Sequence, residues 1–313
     1  MTLRPFTQID VFTEHPHLGN PVAVVLDGAQ LDDDAMQQFA RWTQLSETTF
    51  VLPATDAARA QGADYRVRIF TPGGELPFAG HPTLGTAHAW REAGGQAQQA
   101  DRIVQECGVG LVTLRRSEGA GAWAFAAPPL QRTTPSPEDV HRVCQALGLA
   151  PAHLLRAQHL DNGPHWLGLL LDSPETVLAL APDHAALKHT GIKVGVAALY
   201  PAAPGLLARS NREARAFAHT PQRHAQPAAE RDADLEVRGF AAAIGIAEDP
   251  VTGSLNASLA QWLMAEGVLP QRYTAAQGTA LGRMGRVNLT RDADGQVWVG
   301  GHTVTCITGQ VRL

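Results

Sequence analysis

Two stretches of this chain, far apart in sequence, have the same local plan. Gly80-His81-Pro82-Thr83-Leu84-Gly85-Thr86-Ala87-His88-Ala89-Trp90 and Thr252-Gly253-Ser254-Leu255-Asn256-Ala257-Ser258-Leu259-Ala260 both run from a glycine-containing turn into a helix of small residues. Thr83-Leu84 aligns with Ser254-Leu255, and Ala87 and Ala89 align with Ser258 and Ala260. Small side chains let a backbone come close to its neighbours. The pair therefore predicts two similar lobes, each with one helix packed tightly on a sheet. A second account leaves the halves unrelated, because Ser, Thr, Gly and Pro are favoured at any helix start. A length of 313 residues allows either two lobes or one large domain.

Around these helices the pattern is one of short strands. Thr7, Ile9 and Val11 alternate, and Pro21–Leu26 follows the turn-forming Gly19-Asn20-Pro21. Asp32 or Asp33 caps a helix striped by Met36, Phe39 and Ala40 and ending near Leu45. Strands are expected at Thr48–Leu52, at Tyr65-Arg66-Val67-Arg68-Ile69, and at Ile103–Gln105, Val109–Leu114 and Trp123–Ala126. Between them Pro82 opens a helix over Thr83–Ala93, stopped by Gly94-Gly95. Pro128-Pro129 and Gln131–Pro135 form the expected linker, so that residues 1–127 make a first lobe and 128–297 a second, with 298–313 joining the first. Beyond it, Ser136 caps a helix through Val140, Val143 and Leu147, and Ser173-Pro174 starts another. Trp166–Leu171, Val194–Tyr200, Val237–Phe240, Val287–Leu289, Val297–Val299 and Thr303–Ile307 are further strands, and Ser254–Ala265 is a helix ended by Gly267. Pro201–Asp234 has no period and is expected to be an exposed loop.

Charge and cysteine content remove several function classes. A formal net charge of −5, with no basic run longer than Arg115-Arg116, offers no footprint for nucleic acid. No apolar stretch approaches the ~20 residues of a membrane helix, and the first ten residues lack a signal-peptide layout. Cys107, Cys144 and Cys306 are too scattered for a disulfide framework or a zinc cluster. The expectation is a soluble, cytoplasmic protein with free thiols, no metal and no membrane partner. Phosphate-loop and dinucleotide fingerprints are absent as well.

Chemistry is expected at the two helix starts. Such ends carry free N–H groups and partial positive charge, so two of them facing across a cleft would clamp a small carboxylate. Gly80 and Gly253, with the hydroxyl and amide of Ser254, are the natural donors. Three titratable residues lie in nearby turn or strand-edge contexts. Glu47, in Ser46-Glu47-Thr48-Thr49-Phe50, becomes a proton carrier if it is buried, and is otherwise a solvated helix-end glutamate. His81 is a catalytic residue or a capping or core histidine. Asp249, in Glu248-Asp249-Pro250-Val251-Thr252-Gly253-Ser254, is a site carboxylate or a turn residue.

Taken together, Asp10-Val11-Phe12-Thr13, Gly19-Asn20-Pro21-x-Ala23-Val24, Ser46-Glu47-Thr48-Thr49-Phe50, Arg68 to Pro72, Glu75 to Thr83 and Glu248-Asp249-Pro250-x-Thr252-Gly253-Ser254 closely resemble the PhzF family of phenazine-biosynthesis isomerase-like proteins. The resemblance covers 5–126 and 235–313 by motif and 127–234 by layout. It implies an α+β, diaminopimelate epimerase-like fold: two pseudo-symmetric lobes, each a curled sheet or barrel around a central helix, with the site between them. It also implies a homodimer and a cofactor-free isomerase acting on trans-2,3-dihydro-3-hydroxyanthranilate or an analogue. In that reading Glu47 is the general acid/base, His81 and Asp249 assist, and Gly80, Gly253 and Ser254 hold the carboxylate. The alternatives are a carboxylate-binding protein without turnover, or an epimerase or racemase lacking the cysteine pair of that branch. Here neither helix start carries a cysteine. Relative to the PhzF-like pattern, Ala242 stands where proline is common, and Pro201–Asp234 is long and irregular.

Overall fold

The computed structural model describes residues 2–117, 122–201 and 232–313. The first half runs β1 (Leu3–Val11), β2 (Asn20–Val25), α1 (Asp33–Thr43), β3 (Glu47–Leu52), α2 (Asp56–Ala60), β4 (Tyr65–Thr71), β5 (Gly74–Leu76), α3 (Gly80–Glu92), β6 (Arg102–Cys107), β7 (Gly110–Arg116) and β8 (Trp123–Ala126). The second runs β9 (Gln131–Thr133), α4 (Pro137–Leu147), β10 (Leu154–Asp161), β11 (His165–Leu171), α5 (Pro174–Ala179), α6 (His184–Thr190), β12 (Val194–Leu199), β13 (Leu235–Ala241), β14 (Ile246–Asp249), α7 (Gly253–Ala265), β15 (Arg272–Gln277), β16 (Gly285–Arg291), β17 (Val297–Gly301) and β18 (Thr303–Arg312). All of these strands join one continuous hydrogen-bonded sheet system.

Strand pairing repeats between the halves. β1 and β2 are antiparallel, β2 and β3 parallel across α1, and β4 and β6 parallel across α3. In the same order β10 and β11 are antiparallel, β11 and β12 parallel across α5 and α6, and β13 and β15 parallel across α7. Each half closes with antiparallel strands, β6-β7-β8 and β15-β16-β17. The strand after each set then pairs with the first strand of the other set, β9 with β10 and β18 with β1, while β8 pairs with β17. The echo of the two helix segments is thus one part of a duplicated topology.

α3 and α7 hold the centre of this arrangement. Nine of thirteen residues of α3 and ten of thirteen of α7 are buried, so neither helix has the polar face of a surface helix. Leu84, Ala87, Leu255, Leu259, Ala260 and Trp262 pack into the largest core cluster, together with Val11, Val22, Phe125, Val237 and Val287 from the strands. Helix α1 covers a separate small core of Met36, Phe39, Phe50 and Phe70. Its cap is the expected one, Asp32 accepting from the Ala35 N–H at 2.8 Å.

Some expected boundaries move. The helix of the first half starts at Gly80, so Pro82 is its third residue, still within the first turn where an N–H needs no intrahelical partner. Helix α7 starts one residue early, at Gly253. The expected linker Gln131–Pro135 is instead partly strand: β9 pairs His159 with Thr133 and Asp161 with Gln131. Its three residues are all exposed, so this edge strand has no apolar alternation to reveal it. The expected loop Pro201–Asp234 lies mostly outside the described residues; at its end Asp234 accepts from the Thr274 N–H. Among the described residues no helix is long and apolar enough to cross a membrane.

Close packing of α3 reverses an ordinary rule. Replacing an interior helix glycine by alanine normally gains up to ~1 kcal/mol of helix propensity. A Cβ on Gly85 would collide with the side chain of Val22 and stand 3.0 Å from Val11 Cγ2. Gly85→Ala is therefore expected to destabilise the protein by about 1–3 kcal/mol, through overpacking against β1 and β2. Urea denaturation measures this, and a stabilised variant would contradict the packing described.

Candidate active site

The two central helices meet at their N-termini. A Cβ built on Gly253 would lie 3.3 Å from Gly80 Cα, and one on Gly80 would lie 2.5 Å from Phe125 Cζ. No larger residue fits either place without movement. Neither helix start has a side-chain cap or an acidic residue in its first turn. Among the described residues the other α-helices all have a capping side chain: Asp32, Thr55, Ser136, Ser173 and Asp183. Two uncapped positive ends are thus brought together where a bound anion would satisfy both.

Each helix start is instead held by a buried glutamine from the strand that follows it. Gln105 on β6 donates to Thr83 Oγ1 at 3.0 Å. Gln277 on β15 accepts from the Thr252 N–H at 3.0 Å and from Asn256 Nδ2 at 2.7 Å. Gln277 Nε2 also donates to Thr252 Oγ1 and to the Asp249 carbonyl. Both glutamines are fully buried.

Glu47 and His81 face one another beside this junction. Glu47 opens β3, paired with Val22, and its side chain is 14% exposed, so it is not the solvated helix-end glutamate of the alternative reading. Its Oε2 stands 3.4 Å from His81 Nε2, and neither atom has another hydrogen-bond partner. Burial, reinforced by the charge of Asp249, pushes the Glu47 carboxyl up to about 8. Burial pushes the imidazole down to about 3, opposed only in part by a hydrogen bond to the Pro21 backbone. Near neutral pH the contact is therefore between a protonated acid and a neutral ring, with one proton to share, and is not an ion pair.

Asp249, the last residue of β14, is the carboxylate across the junction. It accepts from Asn20 Nδ2 at 2.9 Å and from Thr252 Oγ1 at 2.7 Å. Burial raises its pKa to about 6; those two hydrogen bonds oppose the rise and the neighbouring Glu248 adds to it. Glu248 is itself tied to Arg238, whose Nε and Nη2 donate at 2.9 and 2.8 Å, while Nη1 donates to the carbonyls of Val177 and Leu180. This buried bidentate pair fixes the strand that presents Asp249.

Asn20 ties the halves together. Its amide donates to Asp249 and to the Val251 carbonyl, each at 2.9 Å, and stands 3.5 Å from His81 Nδ1. Glu47, His81, Asn20 and Asp249 thus form one connected series beside Gly80 and Gly253. Ser254 is the second residue of α7; its hydroxyl accepts from Trp166 Nε1 at 3.3 Å. Asn20 and Gln277 were not among the expected site residues. Asn20 lies in the turn-forming Gly19-Asn20-Pro21, whereas nothing local marks Gln277.

A family model described as phenazine biosynthesis-like protein matches residues 9–309. The Schizosaccharomyces pombe protein named antisense-enhancing sequence 1 is 33% identical, covering 99% of both chains. The trans-2,3-dihydro-3-hydroxyanthranilate isomerase of Pseudomonas aeruginosa is also 33% identical, over 93% of this chain and 91% of its own. The crystal structure of the Bacillus anthracis phenazine biosynthesis protein of the PhzF family superposes with a TM-score of 0.79 at 22% identity, covering both chains completely. The α+β, epimerase-like fold is the one observed.

The raised Glu47 pKa has a stability consequence with a definite sign. Between its ordinary value of 4.5 and about 8 the native state keeps a proton that the unfolded chain releases, so stability falls as pH rises through that window. Glu47→Gln is expected to stabilise the fold by roughly 1–3 kcal/mol near pH 8 and by almost nothing near pH 4. Urea denaturation at the two pH values measures it. An equal gain at both would assign the effect to packing instead of ionisation.

Proposed function

The chain belongs to the phenazine biosynthesis-like (PhzC-PhzF) family of isomerases, and from that premise we propose that it catalyses a cofactor-independent proton shift on a small cyclic carboxylate. The substrate class follows from the P. aeruginosa relative, named for trans-2,3-dihydro-3-hydroxyanthranilate; that compound or a close analogue is the assigned substrate. In this reading two lobes, 1–127 with the C-terminal strand and 128–297, each contribute one helix start.

One observation carries the proposal: a buried carboxyl with its pKa near neutrality, facing a neutral imidazole, beside two uncapped helix N-termini. The backbone at Gly80 and Gly253, with the Ser254 hydroxyl, holds the substrate carboxylate. In its ionised form Glu47 takes a proton from one ring carbon, and the carboxylic acid so formed returns it to another. A pKa of about 8 suits it to both halves of that transfer, since it is neither a strong acid nor a weak base at working pH. His81 shares the proton in transit. Asp249 holds Asn20 and the start of α7, and its charge sustains the basicity of Glu47.

The thiol route of two-cysteine racemases has no support in this chain. Cys107 and Cys144 are buried, and burial raises the pKa of both thiols, away from the thiolate form. Cys306 lies on β18, away from both helix starts.

Three measurements test the proposal. In deuterated water the product of the shift should carry solvent deuterium, and Glu47→Gln should lose about 10²–10⁴-fold in kcat while binding carboxylate within about threefold of the native protein. A fully active Glu47→Gln enzyme would remove Glu47 from the chemistry. Tight binding with no exchange at any ligand carbon would favour a binding protein without turnover. In the pH profile, the acid limb of kcat/KM should lie near 8 and move to lower pH in Asp249→Asn, because the Asp249 charge helps raise Glu47.

A further inference from the structure

The duplicated topology allows the halves to be compared residue by residue. β3 pairs Thr48 with Phe70, and β12 pairs Val194 with Phe240. In the parallel ladders Tyr65 meets Gln105 and Leu235 meets Ala275, which keeps Phe70 and Phe240 in the same place. Thr48 thus corresponds to Val194, and Glu47 to Lys193. At the helix starts Gly80 corresponds to Gly253, and His81 to Ser254, which corrects by two residues the expected alignment of Thr83-Leu84 with Ser254-Leu255. Where the first half has Glu47 touching His81, the second half has Lys193 and Ser254 with an indole between them.

That indole is Trp166, at the start of β11 and 4% exposed. The Lys193 ammonium lies 5.1 Å from the centroid of its ring, and its N–H donates to Ser254 Oγ at 3.3 Å. The neighbouring Asn162, 5% exposed, donates to the Ser254 carbonyl at 3.0 Å. Backbone and hydroxyl of Ser254 are thereby both gripped by the β10–β11 hairpin. Asp161, whose charge acts on Lys193, is held by the Gly163 N–H at 2.9 Å and stands 3.4 Å from His165 Nδ1.

A serine in the first turn of a helix can turn its O–H back to a preceding carbonyl. A donor aimed at Oγ opposes that by occupying a lone pair, and leaves the hydroxyl hydrogen free to point into the cleft. A cation over an aromatic face is held by the ring's electrons and in return makes the ring N–H a better donor. We propose that Trp166 is a positioning residue: its N–H, backed by Lys193, sets the Ser254 hydroxyl as a donor toward the ligand and so makes the clamp prefer a carboxylate, which only accepts, over a carboxamide. The inference rests on the reading of Ser254 as part of the carboxylate clamp, and it gives the second half a function different from that of its counterpart.

The test is a ratio, which general loss of stability does not move. Affinities for 2-aminobenzoate and 2-aminobenzamide are measured by calorimetry for the native protein, Trp166→Phe, Lys193→Met, Ser254→Ala and the Trp166→Phe/Ser254→Ala double variant. Trp166→Phe keeps the ring and removes the N–H; it is expected to lower the carboxylate-to-carboxamide ratio about fivefold, within the range of one hydrogen bond. Lys193→Met, which leaves the indole in place, should lower the ratio about twofold, and the double variant should match Ser254→Ala. A native ratio in both Trp166→Phe and Lys193→Met, alongside a reduced ratio in Ser254→Ala, overturns the inference and leaves the clamp standing. A native ratio in Ser254→Ala removes the clamp reading itself.

Discussion

Two helices end tip to tip at Gly80 and Gly253, with like partial charges turned toward each other. Such a junction is unfavourable by itself, since each end carries roughly half a positive charge and unpaired N–H groups. Much of the molecule is arranged to permit it. Glycine stands at both points of contact, small residues line both helices, and each helix is enclosed by the strands of its own half, with β18 added against α3. The buried glutamines Gln105 and Gln277 tie the first turns to the following strands, which leaves the outermost donors for a ligand. The peripheral helices face no such demand and carry side-chain caps.

The same burial that shapes the junction sets its proton chemistry. Glu47 and His81 are shifted in opposite directions, and both shifts favour the uncharged form. Neutrality lets the pair lie in a dry position without the cost of an isolated buried charge. Asp249 keeps more of its charge because Asn20 and Thr252 donate to it. Two carboxyl groups in one small volume are thus separated in pKa by their hydrogen bonds, the neutral one being the proton carrier of the proposed reaction and the charged one a holder of structure.

How much of this was legible in sequence depends on the range of each interaction. The caps at Asp32 and Ser136, the alternating strand at Tyr65–Ile69 and the paired small-residue helices are local patterns; the caps and the strand lie where their patterns placed them, and the two helices start three residues and one residue early. Glu47, His81 and Asp249 were visible as candidates, but their burial was not, because it comes from strands contributed by both halves. Asn20 and Asp249 are 229 residues apart, and Gln277 reaches Thr252 from a strand that pairs with β13 and β16. Arg238 lies in the expected strand Val237–Phe240 and Glu248 in the turn motif before the second helix, and only the β13–β14 hairpin brings them together in a buried pair. Strands β9 and β10 lack the period on which a strand reading depends because their faces are exposed or mixed, whereas β15 is largely buried but fills its inward positions with Tyr273, Ala275 and Gln277, too few large apolar residues to mark a strand.

A duplicated fold invites a duplicated mechanism, with one acid/base on each side of the cleft. The side chains at equivalent places argue against it here. Glu47 and His81 form a proton-bearing pair in the first half, whereas Lys193, Trp166 and Ser254 occupy the matching places in the second and form a fixed donor. An ammonium above an indole cannot take a proton from carbon, and a serine whose oxygen is held by an N–H is a hydrogen-bond donor before it is a base. Symmetry of the backbone thus brings two positive helix ends together, and in the proposed reaction the asymmetry of the side chains divides the work, one half moving the proton while the other holds the anion. Under the proposed function the substrate carboxylate would then be the fixed point about which a single acid/base reaches more than one carbon of the same ring.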